Sequence, residues 1–457
     1  VEGGGGGVFK KTMALLDSQS CESLKSELDL FSVPPTQTSI EQTLYKDYYP
    51  VSLTSSNAPL EFHVSSSEEQ YLDLQQSFLH LSVSIRSPDG SAIVTPAADP
   101  PALNYVFPIN YFASTLFKHV EVLLSGTQVS PSDVQYAYRA FLETTLTYGA
   151  SKKEQLRTGL YIPDKVNPDL HDATVAREDC VNPGARERYL LSRDSQTFDM
   201  FTRIHHGLFN QPKLLLSKMD LRLTFHRHDP KFSLMSPVEN VNYRIHIDKA
   251  ILKICHKTVS ASVRESHELA LLKSPAKYPV PTSDIKFFTK PTGSADLSEP
   301  NLHTGILPRR VVLGLVSSQA FNGSYVQSPL NFAPYDVLSV QIRRNGLALP
   351  FEQYDMNFGT RQVLPGYMSL FQGLGRMFQE QAINITLEDY VSSGLALYVF
   401  DLSQDGTDCN LSLLQEGKLS LHLVLRTPLT HSATIIIYME KEGLIEVDKE
   451  RNVVFEH

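Results

Sequence analysis

Alternation with a period of two is what most constrains the fold of this chain. Leu79, Leu81, Val83 and Ile85 are separated by His80, Ser82, Ser84 and Arg86. Successive side chains of an extended chain point to opposite sides, so all four apolar residues share one face of a strand. The pattern recurs at Leu60, Phe62 and Val64, at Val120, Val122 and Leu124, at Met219, Leu221, Leu223 and Phe225, and at Tyr243, Ile245 and Ile247. Beyond residue 260 it resumes at Val340 and Ile342, at Leu395, Leu397 and Val399, at Leu419, Leu421, Leu423 and Leu425, and at Ile435 to Ile437. Helical periodicity is confined to short stretches. The clearest runs from Asp133 to Tyr148, with Val134, Ala137, Tyr138, Phe141, Thr145 and Tyr148 on one face, Ser132 or Asp133 as cap and Gly149 at its end. A second runs from Tyr367 to Phe378, and an amphipathic stretch of imperfect phase from Phe9 to about Leu30 ends at Pro34-Pro35.

The strands repeat in order. Val120-x-Val122-x-x-x-Gly126-x-x-Val129 matches Val340-x-Ile342-x-x-x-Gly346-x-x-Leu349, each a strand, a turn glycine and an apolar exit followed by a helix. Lys218-Met219-x-Leu221-x-Leu223-x-Phe225 then matches Lys418-Leu419-x-Leu421-x-Leu423-x-Leu425. A shared order of strand pairs with a helix between them points to duplicated domains. At 457 residues the chain is also too long for one small core. The fold expected is all-β: two tandem jelly-roll β-sandwich barrels, a double jelly roll, with short helices in the inter-strand loops. The reading places a leader and arm at 1–40, a first barrel at 41–258, a second at 259–446 and a tail at 447–457, with the boundary near Val259. Long loops are expected at Pro88 to Asn104, Pro163 to Leu190 and Thr289 to Leu302.

No chemistry can be written for a catalytic or metal site. The formal net charge of -9 argues against a chain devoted to neutralising phosphates, and the basic pairs Lys10-Lys11, Lys152-Lys153, Arg309-Arg310 and Arg343-Arg344 stand outside any aromatic-rich basic block. Sequence-specific nucleic-acid binding is therefore not expected. Cys21, Cys180, Cys255 and Cys409 form no CxxC pair, and reduced thiols are the default reading. His226, His228 and Asp229 fall short of a zinc site, and Asp401, Asp405 and Asp408 around Gly406 lack EF-hand spacing. There is no GxSxG elbow and no P-loop, and Gly373-x-Gly375 lacks a third glycine. The chain reads as a non-enzyme without cofactor or metal. No apolar run approaches the roughly 18 residues of a membrane helix, so no membrane span is expected.

Several segments resemble a known family. Ser26-Glu-Leu-Asp-Leu-Phe-Ser-Val-Pro-Pro-Thr-Gln-Thr-Ser-Ile-Glu41 leading to Tyr48-Tyr49-Pro50, Phe107-Pro-Ile-Asn-Tyr-Phe112, Leu116-Phe117-Lys-His-Val-Glu-Val122, Tyr136-Ala-Tyr-Arg-Ala-Phe-Leu-Glu143 and Leu146-Thr-Tyr-Gly149 are similar to the capsid proteins of Polinton or Maverick elements and the related adintoviruses. Beyond about residue 260 the likeness is mainly one of strand order. The resemblance implies a double jelly-roll major capsid protein, related in fold to adenovirus hexons and to virophage capsid proteins. Three such chains would form a pseudo-hexagonal homotrimer that tiles an icosahedral shell around a double-stranded DNA genome, with a penton or minor capsid protein as partner and the virion as location. A carbohydrate- or ligand-binding β-sandwich is the alternative.

The family's genomes carry a cysteine protease that cuts near Gly-Gly, and Val1-Glu2-Gly3-Gly4 loosely resembles such a site; a flexible leader is the other reading of Gly3 and Gly4. Within the matched helix, Tyr136, Tyr138, Arg139 and Glu143 stand out, because Arg139 and Glu143 are four apart and share a face. Two readings stand for them: a local ion pair, or contacts to a neighbouring subunit. The segment Phe9 to Leu30 reads either as a helix on its own barrel or as an arm reaching a neighbouring capsomer.

Overall fold

A computed structural model of the chain describes residues 19–20, 25–51, 58–94, 105–130, 135–171, 180–379, 383–403 and 411–456. They fall into two compact units, Val1–Ser39 and Ile40–His457. In the first unit, the described part of the stretch expected to be helical holds one 3-10 turn, Ser26–Leu28, with no buried residue and no side-chain cap. A three-residue turn without packing has nothing to offset the cost of helix nucleation. Met13, Leu15, Leu16 and Leu24 of that stretch lie outside the described residues, as do Gly3, Gly4, Ser132, Asp133, Asp405, Gly406 and Asp408.

Besides the two-residue strands Phe107–Pro108 and Leu234–Met235, which pair only with each other, the second unit opens with eight strands: β1 (Ile40–Tyr48), β2 (Leu60–Ser65), β3 (Gln70–Arg86), β4 (Phe117–Leu124), β5 (Thr127–Gln128), β6 (Phe198–Thr202), β7 (Asp220–Arg227) and β8 (Arg244–Val259). They form two four-stranded antiparallel sheets, ordered β1-β8-β3-β6 and β2-β7-β4-β5. The alternating residues do what the pattern requires. Leu79, Leu81, Val83 and Ile85 of β3 are buried against Phe62 and Val64 of β2 and their neighbours in one apolar core. Enclosing each such side chain contributes about 1.5–3 kcal/mol.

After β8 the helix α3 (Ala261–Leu271) leads to eight further strands: β9 (Ala276–Lys290), β10 (Glu299–Ile306), β11 (Arg310–Ser317), β12 (Val337–Arg344), β13 (Leu347–Asp355), β14 (Leu397–Asp401), β15 (Glu416–Leu425) and β16 (Ala433–Val447). Their sheets are ordered β9-β16-β11-β14 and β10-β15-β12-β13. Adding eight to each strand number of the first pair of sheets reproduces the second pair. A last strand, β17 (Val453–Glu456), lies antiparallel to Leu444–Val447.

The repeated glycines sit where the two halves match. Gly126 joins β4 to β5 and Gly346 joins β12 to β13, both at φ 84°, each preceded by a residue that also has positive φ, Ser125 at 47° and Asn345 at 49°. Two successive positive φ values suit the twist of a tight hairpin, and only glycine takes the second without steric cost. The next connection of each half carries a helix: α1 (Tyr136–Thr147) between β5 and β6, and α4 (Leu364–Gly373) between β13 and β14. The β5–β6 connection also holds α2 (Pro183–Ser192), and α5 (Leu387–Ser392) follows α4.

Four further expectations change, the first being the second helix, expected at Tyr367 to Phe378 and found at Leu364–Gly373. Helix α1 ends at Thr147 with Tyr148 extended at its C-cap, and Gly149 caps the following 3-10 turn. Pro163 to Leu190 is not all loop, because Asn182 accepts the Ala185 N–H and Pro183 opens α2. In Thr289 to Leu302 both ends are strand: Thr289 and Lys290 pair with Thr434 and Ala433, and β10 begins at Glu299.

Candidate functional site

Helix α1 is buried on nearly every side, with Tyr136, Ala137, Tyr138, Arg139, Ala140, Phe141 and Leu142 all enclosed. A helix covered all round must be surrounded by protein, and here the two barrels surround it. Toward the first, the Tyr136 hydroxyl accepts the His205 N–H at 3.0 Å. Toward the second, the Tyr138 ring stacks on Phe321 with centroids 6.0 Å apart, and Phe141 stacks on Phe332 at 6.2 Å. Phe332 in turn packs against Gly314 of β11, where a Cβ would come within 2.4 Å of its ring.

One turn along α1 the seam becomes polar. Arg139 Nε donates to Glu143 Oε1 at 2.8 Å, His205 Nδ1 lies 2.9 Å from Glu143 Oε2, and the Tyr438 hydroxyl of β16 donates to Glu143 Oε1 at 3.3 Å. Beside them Arg310 Nη1 donates to Glu440 at 2.7 Å and its Nε to the Gly373 carbonyl at 2.7 Å. These groups line a cavity of about 370 Å³ between the barrels. Burial disfavours the charge on Glu143, but Arg139 and His205 override it and hold the carboxyl well below the usual carboxylate range. Burial pushes His205 down, opposed by Glu143, and lowers the neighbouring His206 to about 3.

The seam extends past this cluster. Tyr278 of β9 donates to the Leu214 carbonyl and accepts the Leu216 N–H, both at 3.2 Å. Gly207 lies so close to β9 that a Cβ there would stand 2.1 Å from the Pro281 carbonyl oxygen. Lys165 pairs with Asp389 of α5 at 3.1 Å, and Arg451 donates to the Ser217 carbonyl and to Glu268 of α3.

Tyr136, Tyr138, Arg139 and Glu143 are thus brought together, and Arg139 and Glu143 form the ion pair their spacing allows. Tyr138 is 0% and Arg139 4% exposed, so their own chain encloses them, where barrel meets barrel. His205, Gly207, Phe332 and Tyr438 complete the seam without a local sequence signal: Tyr438 is 295 residues from Glu143. His228 stacks on Phe232 at 3.8 Å, with burial lowering it to about 3, and the Asp401 carboxylate accepts the Ser403 N–H. Among the described residues no three His, Cys, Asp or Glu side chains gather as metal ligands would, and no helix is long and apolar enough to cross a membrane.

Two eight-stranded barrels of identical strand order, packed along one seam, define a double jelly-roll protein. Solved structures share that architecture over nearly the whole chain. A chain in the cryo-EM structure of the Sputnik virophage aligns with a TM-score of 0.64 and 12% identity, covering 97% of this chain and 94% of that one. The mavirus major capsid protein aligns at a TM-score of 0.52 and 9% identity, over 97% and 96% of the two chains. In sequence, an uncharacterized protein of Caenorhabditis elegans is 24% identical over 428 residues, 92% of this chain and 99% of that protein. No protein-family model matches the chain.

Proposed function

We propose that this chain is the major structural protein of an icosahedral capsid that encloses a double-stranded DNA genome. The observation that carries the reading is the duplication: one chain presents two barrels with the same strand order, held by an enclosed seam. Three such chains supply six similar barrels, so a homotrimer imitates a hexagon and can tile a flat facet, while its closed symmetry covers sheet edges that a lone barrel would expose. The fold likeness to the mavirus major capsid protein over 96% of its length supports the same reading.

In this account the barrels divide near Val259, with 41–258 and 259–446 as the two repeats, 1–40 as leader and arm and 447–457 as tail. Tyr136, Tyr138, Arg139 and Glu143 act in assembly indirectly, by setting the angle between barrels that a pseudo-hexagon needs. The protein has no catalytic role, works in the virion, and meets a penton protein at the vertices. A Polinton or adintovirus element is the source that the resemblance of Ser26 to Glu41 and Tyr136 to Glu143 implies. Negative-stain electron microscopy of the purified chain tests the function. Trimers of hexagonal outline, or closed shells, are expected; a stable monomer at high concentration would sink the proposal.

A further inference from the structure

The duplication makes the two barrels comparable face by face, and one pair of equivalent faces differs sharply. On the sheet β9-β16-β11-β14, the side that bears Tyr438, Ile436 and Val312 is covered by α1 and Phe332, leaving these residues 1–2% exposed. The equivalent side of β1-β8-β3-β6 carries an aromatic row across three strands. The His80 ring stacks on Phe201 at 4.3 Å, Phe201 meets Phe78 at 5.7 Å, and Phe78 meets Tyr45 at 6.1 Å. Within this chain Phe201 stays 40% and Tyr45 50% exposed. Strand alternation points these side chains away from the core formed by Leu79, Leu81 and Val83.

The element that covers the second barrel is α1, from the β5–β6 connection. Its equivalent by the same numbering is α4, from the β13–β14 connection, and α4 and the residues after it leave apolar side chains uncovered. Leu364 and Met377 are exposed, and Phe378 is 95% exposed.

We propose that the aromatic row Tyr45–Phe78–Phe201 is the socket for the α4 region of a second copy of this chain, led by Phe378, repeating between chains the contact that α1 makes within one. Such a contact is head-to-tail, because knob and socket lie on opposite barrels, and a head-to-tail contact closes into a ring when the rotation permits. The inference rests on the trimeric capsomer proposed above and names the surfaces that build it.

The test uses the full chain and analytical ultracentrifugation. Phe201→Glu removes the socket and Phe378→Glu the knob; both side chains are exposed enough for a charge to be tolerated, with unchanged circular dichroism and melting as the check on folding. Tyr45→Glu is a second socket variant. The wild type is expected to sediment as a trimer and each variant as a monomer. An equimolar mixture of F201E and F378E should give dimers and no trimers, since only one of the possible contacts joins a sound knob to a sound socket. Variants that stay trimeric beside a trimeric wild type overturn the assigned surfaces alone, as does a mixture that remains monomeric. A monomeric wild type removes the capsomer reading and the inference with it.

Discussion

The Tyr438 hydroxyl of the second barrel donates to the Glu143 carboxylate on the helix of the first, at 3.3 Å. The same carboxylate also receives Arg139 and faces His205, so one acidic side chain holds a cationic partner and two neutral ones where the barrels meet. Glu143→Gln should therefore cost far more than Tyr438→Phe. Removing the carboxylate leaves Arg139 buried without its counter-charge, worth about 3–5 kcal/mol. Losing the Tyr438 hydrogen bond, a long one from a neutral donor to a charged acceptor, costs about 1.5 kcal/mol. Urea unfolding of the two variants compares them, and equal midpoints would mean that the ion pair is not what holds the seam.

Beside the same cavity, Gly207→Ala should destabilise the chain by about 1–3 kcal/mol, the usual cost of overpacking. The new Cβ would lie 2.1 Å from the Pro281 carbonyl oxygen, so backbone must move on one barrel or the other. Thermal melting reads the loss. A melt equal to that of wild type would show that the barrels can separate at this point freely.

The hairpin glycines predict a matched pair of effects. Gly126→Ala and Gly346→Ala meet no atom within 4 Å, so their cost is conformational only. A positive φ of 84° at each should cost about 1–2 kcal/mol in either barrel. Denaturant midpoints that differ widely between the two would argue against equivalent turns.

Acid should weaken the fold before the carboxylates titrate. Unfolded, the His206 imidazole gains a proton as pH falls through about 6.5; folded, burial delays that until about 3. Between those values the unfolded state binds the extra proton, so stability declines by about 1.4 kcal/mol for each unit of falling pH. His206→Asn keeps an acceptor for the Leu208 N–H, which His206 Nδ1 now receives at 3.2 Å. Unfolding free energies from about pH 6.5 to pH 4 should then fall less steeply, by the equivalent of one proton. The contribution of Glu143 has its own window: its depressed carboxyl stabilises the fold above its unfolded value and is lost only as pH falls toward the folded one.

The inward faces of β2, β3, β4 and β7 were legible because alternation is a local property: Leu60, Phe62 and Val64, or Leu221, Leu223 and Phe225, are buried as their spacing requires. The turns at Gly126 and Gly346 were legible for the same reason, since a two-residue hairpin constrains its own φ values. The end of α1 was not, because Tyr148 stops that helix by turning extended where a glycine alone suggested the cap. Nor was the setting of Arg139 and Glu143. Four-residue spacing makes a pair possible on any helix, exposed or enclosed, and only burial between two barrels turns it into a seam.

Sequence by itself thus determined two runs of half-buried strands, the repeat that relates them and the glycines at matching turns, all carried by residues near one another in the chain. Tertiary structure decided which strands neighbour which, so that β1 lies beside β8 and β9 beside β16. It also decided which sheet face is covered and which is left bare. Those outcomes depend on partners hundreds of residues apart, such as Glu143 and Tyr438, and side-chain spacing carries no record of such a distance.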